Sequence, residues 1–222
     1  MVTRAGQPLS PAMAGAIGMN AEHTGLLLGR GAEGDAVLMR LFRPQPTRIA
    51  LIGGLWLARI TVFRALALGA QVFVRTSDER RWHGLGEVAV GIPERVRVVT
   101  GGRPNIAARV GDPVLHVHDV EGQRVFDLQP GDAWQTTLSI SAQLTDTAAD
   151  ALAVADAALV QRMWAQQAVY VAARLGVDPE AASEVENLPD DTVALLSDGQ
   201  VRLAWVSPTD IEQQMFGVPG RL

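Results

Sequence analysis

The sequence predicts an α/β protein: a mostly parallel sheet flanked by helices, with a β-hairpin near each end. Three observations carry that expectation. The stretch Thr47–Thr76, TRIALIGGLWLARITVFRALALGAQVFVRT, reads as strand, Gly-Gly turn, apolar helix and second strand. Further apolar strand patterns follow it, alternating with loops and helical stretches. Asp198-Gly199 separates two short apolar runs, a strong hairpin signal.

Residues Met1–Glu22 carry Pro8, Pro11 and several Gly and Ala, and are expected to form a flexible lead-in to a single α/β domain over 23–222. Gly25–Gly29 and Ala36–Phe42 flank Gly31-Ala32-Glu33-Gly34 and predict the first hairpin. Arg43-Pro44-Gln45-Pro46 breaks the chain before the central unit. Arg48–Ile52 has the content of a buried strand. Leu55–Leu68 is apolar on nearly every face, so it should be covered on both sides. Gly69 suits its C-terminus. Gln71–Arg75 is the second strand, and a strand–helix–strand unit of this kind is parallel and right-handed. Asp78–Gly84 is polar and expected at the surface; Arg80-Arg81 with Trp82 could stack on a base, against a solvated charge cluster. Glu87–Gly91 closes a short helix. Strands are expected at Arg95–Thr100, Pro113–Val120 and Trp134–Leu144. Val193–Leu196 and Val201–Val206 form the last hairpin, and Pro208–Phe216 a closing helix.

Composition narrows the chemistry. The formal net charge is -5, with 19 basic side chains, all arginine, and no cysteine. Lysine Schiff bases, a Walker lysine, disulfides and thiolate metal sites are excluded. The acidic balance argues against wrapping nucleic acid. The start, MVTRAGQPLSPAM, has no sustained apolar region, and Leu55–Leu68 is too short to span a bilayer and carries Arg59 and Arg64. A soluble, cytoplasmic protein is expected, one able to dock on a membrane machine.

The Gly53-Gly54 turn is the candidate binding element. Phosphate loops work through backbone N–H groups at a helix N-terminus. Set against G-x-x-x-x-G-K-[ST] from Gly53, Ala58 replaces the second glycine, Arg59 the lysine and Ile60 the hydroxyl residue. Arg59 could still pair with phosphate, as a wide fork rather than a point charge. A dinucleotide turn needs glycine where Leu55 stands; Arg75, at the end of the second strand, would suit a 2′-phosphate and keeps NADP open. Downstream, Asp119 ends an apolar strand and Glu121 follows, the place of a Walker B acid. The same strand holds His116 and His118 on one face, and with Asp119 these form a possible metal set, although neither His23 nor His83 supplies a further ligand in a metal-binding pattern.

The order of these parts resembles FtsK-like DNA-translocase and type VII secretion ATPase domains, where a small hairpin precedes the phosphate loop. Ala155–Arg162 resembles a late core strand of those domains. That resemblance, not helix propensity, implies helix–strand–helix over Asp146–Gly176 in place of one long helix. Leu188-Pro189-Asp190-Asp191, the Asp198-Gly199 hairpin and Pro208-Thr209-Asp210 resemble their C-terminal strands. The composition fits an actinobacterial source. Without the lysine and the hydroxyl, the resemblance implies a degenerate P-loop NTPase-like fold. Such a module would be non-catalytic and would assemble with itself or with a secretion or translocation machine. Gly53, Gly54, Arg59, Arg75, Asp119 and Glu121 would then be a vestigial nucleotide site, with no cofactor beyond weak ATP or NADP binding and no resident metal. A Rossmann-type NADP or nucleotide enzyme or sensor is the alternative.

Overall fold

A computed structural model describes residues 25–100, 104–119 and 131–220. The expected lead-in, His23 and Glu121 lie outside the described residues. Ten strands form one sheet: β1 (Leu26–Arg30), β2 (Ala36–Met39), β3 (Thr47–Ile52), β4 (Gln71–Thr76), β5 (Val96–Val98), β6 (Val114–Asp119), β7 (Gln135–Ser141), β8 (Ala157–Val160), β9 (Thr192–Ser197) and β10 (Gln200–Trp205). Their spatial order is β2-β1-β10-β9-β8-β3-β7-β6-β4-β5. From β8 to β5 all pairs are parallel; β9, β10, β1 and β2 extend the sheet through antiparallel pairs.

The helices are α1 (Leu55–Ala67), α2 (Leu85–Val90), α3 (Asp146–Ala153), α4 (Ala165–Arg174) and α5 (Asp210–Phe216). The stretch after Asp146 is therefore helix, strand, helix. Propensity alone misses β8 because alanine favours helix in isolation. Here Ala157–Val160 is wholly buried between β3 and β9, and burial on both faces overrides local preference.

Two apolar layers lie on opposite faces of the sheet. α1 packs with Ile49, Leu51, Val72, Val74, Leu115 and Val117 on one face. α3 and α4 pack with Ala50, Ile52, Ala158 and Val160 on the other. Successive strand residues point to opposite faces, so β3 supplies both layers. α1 is covered on both sides, as its all-round apolar pattern requires: the sheet lies under it, and α5 crosses its outer face. Phe63 meets Phe216 edge-on at 5.6 Å. Arg64 grips Glu212 with bonds of 2.6 and 2.9 Å and also donates to the carbonyls of Leu27, Leu28 and Ser207. One arginine thus ties α1 to the first hairpin and to α5. Glu212 also completes a capping box with Thr209.

The final hairpin turn is as its sequence demands. Asp198 and Gly199 both have positive φ, 52° and 72°, the conformation of a type I′ turn. The polar stretch Asp78–Gly84 needs a correction. Its arginines are exposed, but Trp82 is 2% exposed and belongs to the core on the α1 face. It is therefore not placed to stack on a base.

Candidate functional site

The carboxyl ends of parallel strands are where open α/β sheets place their ligands. Gly53, Gly54 and Asp119 all lie along that edge. Gly53 and Gly54 follow β3, and Asp119 ends β6, with β7 between them. Two strand spacings separate the pair, on the order of 10 Å.

The turn after β3 is short and filled. The strand ends at Ile52 and the helix begins at Leu55, so only Gly53 and Gly54 connect them. A phosphate loop needs several residues of free backbone to wrap an anion. Here Ala58, Arg59 and Ile60 are already inside α1. Gly53 N–H donates to the carbonyl of Ser141 at 2.9 Å. Gly54 N–H donates to Gln161 Oε1 at 2.7 Å. Gln161 is 2% exposed, and its own Nε2 donates to the carbonyl of Asp190 at 3.2 Å. A Cβ on Gly53 would stand 2.7 Å from Gln161 Oε1. The second glycine-turn residue thus gives its N–H to a neutral side-chain oxygen, and the first leaves room for that side chain.

Arg59 packs against α5. Its guanidinium carbon lies 4.9 Å from the centre of the Phe216 ring on α5. Its Nε is buried with no acceptor among the described residues, and burial pulls its pKa below the ordinary arginine value. Trp56 donates its indole N–H to the Gly217 carbonyl at 3.4 Å, beside the same contact.

Asp119 is 6% exposed and held from its own face of the sheet. Its Oδ2 accepts from Trp82 Nε1 at 2.8 Å and from Thr76 Oγ1 at 3.0 Å. Arg81 approaches its other oxygen at 3.7 Å. Arg75 sits one residue before Thr76 and is in register with His118, so it projects from the opposite face. The structure brings Asp119 together with Trp82 and Thr76, sets Arg59 on the Phe216 ring, and places Arg75 on β4, three strands from the glycine turn. His116 and His118 are 3% and 7% exposed, and His116 stacks on Phe73 at 5.8 Å. Among the described residues no three His, Asp or Glu side chains are grouped as a metal would need.

An open cleft of about 630 Å³ lies along the same edge, past Gln161. Gln143, Met163, Trp164, Gln167 and Glu186 line it, with the Arg162–Asp190 ion pair at 3.3 Å. Trp164 is 74% exposed, the most exposed tryptophan among the described residues. Neither Gly53 nor Gly54 borders this cleft. Gln161 was not legible from motif spacing, because it meets Gly54 across 107 residues of chain.

The fold is an α/β sheet with flanking helices, and its architecture is similar to that of FtsK-like ATPase domains. No known family model and no curated protein matches the sequence. Solved structures carry the likeness. The cytoplasmic domain of the Thermomonospora curvata type VII secretion ATPase EccC superposes with a TM-score of 0.54 at 12% identity, over 88% of this chain and 31% of that one. The pCW3 conjugation coupling protein TcpA, solved in monomer form with ATPγS, gives 0.50 at 9% identity, over 90% and 70%. A structure described as an ATPase gives 0.50 at 13% identity, over 86% and 90%. The chain spans about a third of the EccC chain it matches. At these identities the likeness is one of fold. No helix among the described residues is long and apolar enough to cross a membrane.

Proposed function

We propose that the chain is a non-catalytic, ATPase-like module that assembles with itself or with an active secretion or translocation ATPase. One observation carries the reading: the two-residue turn after β3 is closed by Gln161, which occupies the Gly54 N–H. Such a turn offers an anion neither a backbone cradle nor a lysine. The same bond weighs against a dinucleotide pyrophosphate at this turn. Asp119, expected to hold a Mg water, instead serves Trp82 and Thr76. Gly53, Gly54, Arg59, Arg75, Asp119 and Glu121 are on this reading the remnant of a nucleotide site. Fold-level likeness to ATPases of secretion and conjugation supplies the class of partner. Trp164 supplies the contact, because an exposed tryptophan in a cleft is a common interface anchor. On this reading the chain works in the cytoplasm, at the membrane complex such partners form, as one domain over 23–222.

The purified chain, titrated with Mg-ATP in a calorimeter, should bind no tighter than about millimolar and show no phosphate release. Mg-dependent hydrolysis abolished by Asp119→Ala would overturn the proposal. Trp164→Glu should leave the unfolding free energy within about 0.5 kcal/mol of the parent's and abolish self-association or partner binding in sedimentation velocity. Unchanged association would remove Trp164 as the anchor.

A further inference from the structure

At the opposite edge of the sheet, the amino ends of β3 and β8, a second cleft of about 450 Å³ opens between the two hairpins. Its walls come from β2 on one side and from the β9–β10 turn on the other. Arginines reach it from three separate places: Arg40 after β2, Arg43 in the proline-rich linker and Arg202 on β10.

These three arginines are not equivalent. Arg43 is committed to the fold: its Nε donates to Thr47 Oγ1 at 3.0 Å, and its fork pairs with Asp156 at 3.4 Å. Asp156 in turn accepts the Arg48 backbone N–H at 2.7 Å. Arg202 makes one long bond, 3.4 Å to Ser197 Oγ, and no ion pair among the described residues. Arg40 has neither a hydrogen bond nor an ion pair there. Against these two open guanidinium groups stands one carboxylate without a cationic partner, Asp198 in the turn. The cleft is a positive site in a chain whose formal charge is -5.

Two further features select the kind of anion. Leu38 is 40% exposed on the wall beside Arg40, an apolar shelf that a phosphate backbone would not use. Arginine forks bind carboxylates in a bidentate way.

We propose that this cleft docks an extended acidic segment of a partner protein, with carboxylates on Arg40 and Arg202 and an apolar side chain on Leu38. The site is independent of the β3 turn and stands whether or not the chain hydrolyses ATP.

The test uses the full chain and three probes in calorimetry: acetylated Glu-Leu-Glu-Val-Glu amide, its Lys-Leu-Lys-Val-Lys counterpart, and a short oligothymidylate. The acidic peptide should bind, the basic one should not, and affinity should fall at least about tenfold in Arg40→Glu and in Arg202→Glu. Both substitutions are at the surface, so unchanged melting confirms folding. Arg80→Glu, whose side chain is 93% exposed away from the cleft, should bind as the parent does. The proposal is overturned by no binding of the acidic peptide, by equal binding of both peptides, by an equal loss in Arg80→Glu, or by oligothymidylate binding more tightly than the peptide.

Discussion

The carboxyl ends of β3 and β6 carry the glycine turn and Asp119, and their polar groups are occupied in different ways. After β3 the backbone itself is shortened: two glycines join strand to helix, and Gln161 fills the space beside them. After β6 stands an acid whose Oδ2 is bound by Trp82 and Thr76 within the α1-side layer, with Arg81 near its Oδ1. The first closure removes both room and donors. The second keeps a carboxylate and turns it to structural use. A lysine placed after the turn would therefore still meet a filled backbone, whereas Asp119 is engaged by side chains alone, two hydrogen bonds and the Arg81 guanidinium.

The largest effect should come from the β6 side. Trp82→Ala removes a buried indole and leaves Asp119 Oδ2 short of a donor, so a loss of about 3–5 kcal/mol is expected in chemical unfolding. Trp82→Phe separates the two contributions and should cost about 1–2 kcal/mol, the share of the hydrogen bond. If Trp82→Phe is neutral, Asp119 is not held by that bond and the contrast between the two strand ends weakens.

The frame that carries the β3 turn can be tested through α1's outer clamp. Burial alone would push the Glu212 carboxyl up, but the bonds from Arg64 and the Thr209 N–H outweigh it and hold the pKa below the ordinary glutamate value. A depressed folded pKa means that the ionised form stabilises the fold. That contribution is complete above the unfolded value, about 4.3, and is lost as pH falls through the folded value. Glu212→Gln should cost about 3 kcal/mol at neutral pH, because Arg64 is left buried without its partner. It should also flatten the acid limb of the stability–pH curve. An unchanged acid limb would show that the pair does not hold α5 on α1.

The smallest of the three effects probes the glycine turn directly. Gly53→Ala forces Gln161 to move and should cost about 1–3 kcal/mol. Gln161→Ala leaves Gly54 N–H without its acceptor and should cost about 1–2 kcal/mol. Together they should cost less than the sum, since the second substitution makes room for the first. Strict additivity in the unfolding cycle would mean that Gln161 does not fill the turn.

Much of the sheet was legible from local sequence. β3, α1 and β4 follow from apolar content broken by Gly53-Gly54 and Gly69, and the last hairpin from Asp198-Gly199 alone. The β8 strand was legible only through resemblance, because its alanines point locally to helix and only burial between β3 and β9 makes them a strand. For the site, the sequence located the glycine turn and the acid at the end of β6. It did not reveal that Trp82 is core, since its neighbours Arg80, Arg81 and His83 are polar and the signal that buries it is Asp119, 37 residues away.

What the sequence by itself determined is which chemistry is missing. No lysine and no cysteine occur anywhere in the chain, and no arrangement in space can supply them. The tertiary structure decided what the remaining polar groups do. Gln161 closes the Gly53-Gly54 turn, Glu212 clamps α1, and Arg40 and Arg202 converge on one cleft from distant parts of the chain. Each of these is a pairing between residues far apart in sequence, set by the crossing of strands and helices, which local pattern does not encode.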